Sequence, residues 1–306
     1  MNRRLIYLLA VGCLILGCGQ SYEEKRKLTH KKRAQLLRED SAAIKVAVVP
    51  TLDCLPLFVA KEHHLFDSTK ADVRLKMFTA QMDCDTALAG GSVQGAVTDL
   101  VRAERMKQQG TPLSYVTSTN AYWQLYSNRT ARIRQLKQLD DKMLGMARYS
   151  ATDLLADGVR DSAKIDRERL FKIQVNDVSI RLKMLLNNEI DAVLLTEPQA
   201  TQARLARHQI LFDSRKAGLQ LGVVAFRESD LKDKKRQRQL EVFKQGYNQA
   251  CDSLSRYGIA HYRDLVVKYC HVRVAQVDSL PRDIKFHRLA EPLAADVERA
   301  QKWLKE

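Results

Sequence analysis

The sequence predicts an α/β protein of two lobes, each a parallel-rich sheet flanked by helices. Three observations predict it. From Ile44 to a helix that starts at Leu100, short β-rich runs alternate with helix-like segments. The same rhythm returns from Met143 to a helix that starts at Pro198, and the chain beyond Phe226 reads as helical. Strands that alternate with helices build parallel sheets covered by helices, and two such series build two lobes. No repeat occurs at solenoid spacing.

The elements follow in order. Ile44 to Val49 is β-rich, and Leu55 to His63 is a helix entered through Pro50-Thr51-Leu52-Asp53. Val73 to Phe78 alternates charged and apolar residues as a strand does; Asp83 to Ala89 is helical and stops at Gly90-Gly91. Gly95 to Thr98 is a third strand with a helix from Leu100, and Leu113–Ser118 and Trp123–Tyr126 are further strands. In the second series Met143–Ala147 precedes a helix from Ser150, Phe171–Val175 a helix from Asp177, and Ala192–Leu195 a helix from Pro198. Leu219 to Phe226 is strand-like, and helices are expected over about 235–257, 261–269 and 295–305.

The start of the chain reads as an address. Arg3 and Arg4 precede Leu5–Leu16, a stretch without charge that is shorter than the ~20 residues of a membrane span. This is the pattern of a secretory signal. Ile15-Leu16-Gly17-Cys18 resembles the bacterial lipobox, which implies residues 1–17 as a lipoprotein signal peptide and Cys18 as the lipidated first residue. Residues 18–42 are too polar to bury a core and suit a tether or a short surface helix. The domain is then expected outside the cytoplasm, in the periplasm or on the extracellular side, anchored to a membrane through Cys18.

Composition narrows the function. Of 306 residues 45% are hydrophobic and 28% charged, which is ordinary globular usage and excludes a disordered chain. The formal charge of +15 is diffuse: residues 42–125 carry as many acidic as basic side chains. The densest basic run of the folded region, Lys232–Arg238, sits beside Asp230 and Asp233 with no aromatic neighbour before Phe243. A nucleic-acid partner is therefore not expected. Cys54, Cys84, Cys251 and Cys270 permit two disulfides, with Cys251–Cys270 and Cys54–Cys84 the pairs considered, or four buried thiols. No metal-ligand spacing and no cofactor motif is present.

The strand-to-helix junctions carry the functional signal, because open sheets bind ligands beyond the carboxyl ends of their strands. Those junctions hold Thr51 and Asp53; Gln81, Met82 and Asp83; Asp99; Asn120 and Tyr122; Arg148, Tyr149, Ser150 and Thr152; and Glu197. Helix capping alone would explain any one of them. Together they aim side chains and helix N-termini at one crevice.

Taken in order, IKVAVVPTLDCLPLFVAKEHHLF, AQMDCDTALAGGSVQGAVTDLV, MARYSATDLL, LNNEIDAVLLTEP and the C-terminal VDSLP and AADVERAQKWL resemble the solute-binding proteins of ABC importers for nitrate, sulfonate, taurine and thiamine-precursor pyrimidines. The resemblance covers roughly residues 43–306. It implies the type II periplasmic-binding-protein fold, with residues 43–122 plus 223–306 as lobe one, 123–222 as lobe two, and two hinge crossovers near 122–128 and 213–223. It further implies a monomer without cofactor or catalysis, which captures a small molecule between the lobes and delivers it to a permease and its ATPase. Thr51, Asp53, Gln81, Met82, Asp83 and Asp99 would bind from lobe one, Arg148, Tyr149, Ser150, Thr152 and Glu197 from lobe two, and Asn120 and Tyr122 near the hinge.

The junction carboxylates favour a ligand with amino or ring N–H donors. An aminopyrimidine thiamine precursor fits first, with Tyr122, Trp123 or Tyr149 stacked on its ring; taurine or another sulfonate fits next. A same-fold biosynthetic enzyme and a transporter-independent sensor lipoprotein are the alternatives. The sequence has no GxSxG, no P-loop and no cysteine-rich run to support an enzyme.

Overall fold

The computed structural model describes residues 22–306; the expected signal segment and Cys18 lie outside the described residues. Tyr22–Ala42 (α1) is one helix, the second of the two forms open to that polar run. Its described side chains are nearly all exposed, Leu36 and Leu37 included, so it has no apolar stripe to pack. Among the described residues no helix is long and apolar enough to cross a membrane. This helix is a unit by itself, and residues 44–306 form the other.

That larger unit contains two five-stranded sheets. The first holds β1 (Ile44–Val48), β2 (Val73–Met77), β3 (Gly95–Asp99), β4 (Leu113–Ser118) and β10 (Gly222–Arg227), in the order β2-β1-β3-β10-β4. The second holds β5 (Gln124–Ser127), β6 (Lys142–Met146), β7 (Leu170–Gln174), β8 (Ala192–Leu195) and β9 (Gln209–Asp213), in the order β7-β6-β8-β5-β9. Only β10 and β5 run against their neighbours. Each is the first strand after the chain has passed from one sheet to the other. β9 was not expected: its Gln-Ile-Leu-Phe-Asp has no alternation and follows a helix after a short turn.

Helices follow the strands as expected. α2 (Leu55–Glu62), α3 (Gln81–Ala89) and α4 (Leu100–Gln108) leave β1, β2 and β3; α5 (Ala151–Ala163), α6 (Val178–Leu186) and α7 (Gln199–Leu205) leave β6, β7 and β8. The C-terminal part is α8 (Glu228–Leu231), α9 (Lys234–His261), α10 (Arg263–Cys270), α11 (Val274–Val277) and α12 (Ala294–Trp303). α9 breaks at Gly258, whose φ of 74° suits glycine. It packs on α2, and α12 packs on α4. Both faces of β1 are buried, as befits a strand covered by helices on each side. Phe226 of β10 meets Phe243 of α9 at 5.2 Å, nearly edge to face. Cys54, Cys84, Cys251 and Cys270 are all buried and unpaired. Burial pushes the Cys251 thiol up to about 12, so it stays protonated and inert.

The chain passes between the sheets twice, over residues 119–123 and 214–221. The two passages lie against each other: Thr119 N–H donates to Gly222 at 2.8 Å and Ser214 N–H to Trp123 at 2.9 Å. A Cβ at position 222 would stand 2.3 Å from Thr119 Oγ1 and 2.6 Å from Ala121 Cβ. Only glycine permits that approach.

Candidate functional site

The carboxyl ends of both sheets face one cavity of about 70 Å³. Thr51 and Asp53 reach it from the turn after β1, Gln81 from the start of α3, and Thr98 and Asp99 from the end of β3. The second sheet contributes Ser150 and Thr152 after β6, Asn176 and Arg181 after β7, and Thr196 after β8; Ala121 and Trp123 come from the first crossing. The capping residues explain part of this placement. Asp99 accepts Arg102 N–H at the start of α4, and Ser150 Oγ accepts Thr152 N–H at the start of α5, each satisfying an amide the helix leaves open. Thr51 caps nothing with its side chain.

Thr51, Asp53, Gln81, Asp99, Ser150 and Thr152 are thus brought together. Met82, Arg148 and Tyr149 instead line an outer cavity of about 420 Å³ between α3, α4 and the second lobe, where the Arg105 guanidinium lies 4.0 Å over the Tyr149 ring. Asp83 is exposed on α3, and Asn120 is half-buried in the first crossing. Tyr122 and Glu197 are buried against each other, the phenol donating to Glu197 Oε1 at 2.8 Å. A larger groove of about 1280 Å³ lies between α5, β7 and α12. Acidic and basic side chains both line it, and it shares no lining residue with the cavity where the two sheets converge.

Two cations that the sequence reading missed dominate the electrostatics. Arg102, on α4, pairs through Nη1 with Asp85, and its Nε is 3.4 Å from Asp99. Arg181, on α6, donates from Nε to Leu194 O at 3.0 Å and from Nη1 to Val175 O at 2.6 Å. Burial, with Arg102 nearby, lowers Arg181 to about 10, so it remains charged at neutral pH. Burial raises the Asp53 carboxyl, opposed by hydroxyls of Thr51 and Thr119. It raises Asp85 as well, against the pull of Arg102. Asp99 is pushed up to about 6 by burial, with Arg102 opposing. Two guanidinium groups and two carboxyls therefore line the cavity.

The lobes are closed on this cavity. Asp99 Oδ1 accepts Ala151 N–H of the second lobe at 2.9 Å, Leu52 N–H donates to Glu197 O at 2.9 Å, and Gln199 Nε2 donates to Pro50 O at 3.2 Å. Farther out, Trp303 Nε1 of α12 donates to Asp157 Oδ2 of α5 at 3.1 Å. Among the described residues, no cluster of His, Cys, Asp and Glu could hold a metal ion.

The raised carboxyl of Asp99 has a measurable consequence. Stability tied to it is present below about pH 4 and is lost as pH rises through about 6. Asp99→Asn cannot titrate. Calorimetry at pH 5, 6 and 7.5 is expected to show the wild type losing more melting temperature than the variant as pH rises; parallel curves would contradict the assignment.

The family model described as NMT1/THI5 like matches residues 51–267. The chain belongs to the NMT1/THI5-like family. No curated protein matches it. Solved structures do, at identities that speak for the fold alone. The ligand-binding component of an ABC-type import system from Staphylococcus aureus is 18% identical, with TM-score 0.71, over 86% of this chain and 91% of that one. The alkanesulfonate-binding protein SsuA from Xanthomonas axonopodis pv. citri, bound to MOPS, is 17% identical, with TM-score 0.71 and the same coverage. A Candida albicans gene product described as exhibiting the generic periplasmic-binding-protein structural fold is 14% identical, with TM-score 0.66, over 86% and 89%. This NMT1/THI5-like chain has that fold, as its sequence resemblance implied.

Proposed function

We propose that the protein is the solute-binding component of an ABC importer, taking a small nitrogen-containing ligand by closure of its two lobes. The observation that carries this reading is the cavity at the carboxyl ends of both sheets, bridged by hydrogen bonds between the lobes, with Asp53 and Trp123 in its wall. Its volume of about 70 Å³ holds a few waters. A ring-sized ligand therefore enters only when the lobes part, and the paired crossings at Thr119–Gly222 and Trp123–Ser214 are where such a hinge would bend.

Asp53 accepts hydrogen bonds from an amino group, Trp123 offers a ring face, and Gln81, whose amide donates to Val97 O at 2.8 Å, keeps its carbonyl oxygen free as an acceptor. An aminopyrimidine thiamine precursor uses all three. Taurine, with amine and sulfonate at opposite ends, is the next candidate. Binding is reversible and involves no covalent step. The domain works outside the cytoplasm, held to the membrane through Cys18, and presents its closed form to a permease with an ATPase behind it.

The test is thermal shift of the soluble form begun after Cys18, against 4-aminopyrimidines, taurine, methanesulfonate and nitrate. A ligand at 100 times its Kd stabilises by ~2.7 kcal/mol. An aminopyrimidine shift is expected in the wild type and is expected to fall at least tenfold in apparent affinity in Asp53→Ala. No shift with any of the four would overturn the reading.

A further inference from the structure

Asp99 does more than cap its own helix. Its Oδ1 accepts two backbone N–H groups, Arg102 at 3.0 Å and Ala151 at 2.9 Å. The first belongs to the opening turn of α4 in lobe one, the second to the opening turn of α5 in lobe two. One carboxylate thus sits on two helix N-termini from opposite sides of the cleft. Helix N-termini are where an oxyanion would bind. One further group at this place is equipped for a ligand. Thr98 Oγ1 is buried, belongs to a residue only 5% exposed that lines the cavity, and has no hydrogen-bond partner. The charges complete the picture: with Asp99 the wall carries Arg102 and Arg181 against Asp53 and Asp99. Without it the amides of Arg102 and Ala151 lose their acceptor, and Arg102 keeps one carboxylate partner, Asp85, in place of two.

We propose that Asp99 occupies, from within the protein, the place a small oxyanion would take in this cleft, and so acts as the specificity-determining residue that excludes oxyanions in favour of neutral or donor-bearing ligands. This rests on the solute-binding reading above and adds a rule of selection to it. A free oxyanion meets a resident carboxylate and repulsion in place of two amides and the Arg102 guanidinium. The same carboxylate ties lobe to lobe through Ala151, so selection and closure depend on one side chain.

The test is a gain of binding. Asp99→Ser keeps a hydroxyl to cap α4 but removes the charge and the reach to Ala151; Asp99→Asn keeps the size and removes the charge alone. Methanesulfonate and sulfate binding is measured by calorimetric titration and by thermal shift against chloride of equal ionic strength. The general salting effect of sulfate is common to all three proteins, so the difference between variant and wild type is the readout. Asp99→Ser is expected to bind methanesulfonate at least tenfold more tightly than the wild type, with a smaller gain in Asp99→Asn. Equal binding by wild type and variants overturns the proposal, as does the absence of any gain in a folded variant; should Asp99→Ser not fold, Asp99→Asn decides. The solute-binding reading fails by a different sign, a wild type that answers none of the four ligands in the earlier panel, and that result leaves the oxyanion gain to be read independently.

Discussion

Arg102→Leu is expected to destabilise the folded unit by about 3–5 kcal/mol at pH 7.5, the cost of removing one partner from a buried ion pair. The guanidinium is only 5% exposed and holds Asp85 and Asp99 at once. Taking it away leaves two buried carboxyls without the one charge that pulls both down, and each rises further. The sign of the pH dependence follows. A carboxyl raised in the folded state is neutral at low pH, and its stability is lost as pH climbs through its folded value. The deficit of Arg102→Leu is therefore greatest at pH 7.5 and shrinks toward pH 5, where the orphaned acids take up protons. Urea unfolding at the two pH values measures it. A deficit equal at both would mean that Arg102 acts through packing of its alkyl stem. Arg102→Lys keeps the charge but not the planar fork that spans two carboxylates, and is expected to fall between leucine and wild type.

Arg102 also shows how far the sequence could be read. The strand-to-helix rhythm was legible because several helices start with a residue type suited to capping them. Asp99, Ser150 and Asp177 all accept first-turn amides. Thr51, Asp53, Gln81, Asp99, Ser150 and Thr152 were legible because they sit at the junctions themselves. Arg102 and Arg181 lie inside their helices, at the third position of α4 and the fourth of α6. Helical side chains slant back toward the N-terminus, so both return to the strand ends they had seemed to leave behind. A signal was present all the same. A cation in the first turn opposes the helix dipole by ~0.3–1 kcal/mol, and such local disagreement marks places with another purpose. Met82, Arg148 and Tyr149 followed the junction rule yet line the outer cavity, because the junction fixes the backbone of a side chain and not the side to which it turns.

Glu197→Ala is expected to cost about 3 kcal/mol and to leave the cavity wall unchanged. Sequence reasoning placed Glu197 among the ligand contacts; its side chain is 2% exposed and engaged in the crossing. Oε1 accepts the Tyr122 phenol at 2.8 Å, Oε2 accepts Thr201 N–H at 2.9 Å, and Arg204 Nη1 is 3.9 Å away. Arg204 continues to Ser279 O at 2.7 Å, and the Arg215 guanidinium covers the Tyr122 ring at 3.8 Å while pairing with Asp213 and Asp283. Alanine leaves the phenol and the Thr201 amide without an acceptor in a place water does not reach. Glutamine keeps one acceptor oxygen and is expected to recover about half of the loss. Tyr122→Phe, which removes a donor and strands one carboxylate oxygen, is expected to cost about 1–2 kcal/mol. The Glu197→Ala/Tyr122→Phe double variant should lose less than the sum, because the two side chains share a bond. Ligand-induced shifts in melting temperature distinguish this role from a contact role: they should survive in full in Glu197→Gln and shrink in Asp53→Ala. If Glu197→Ala instead melts like the wild type and loses the shift, the carboxylate faces the ligand and the hinge assignment is wrong.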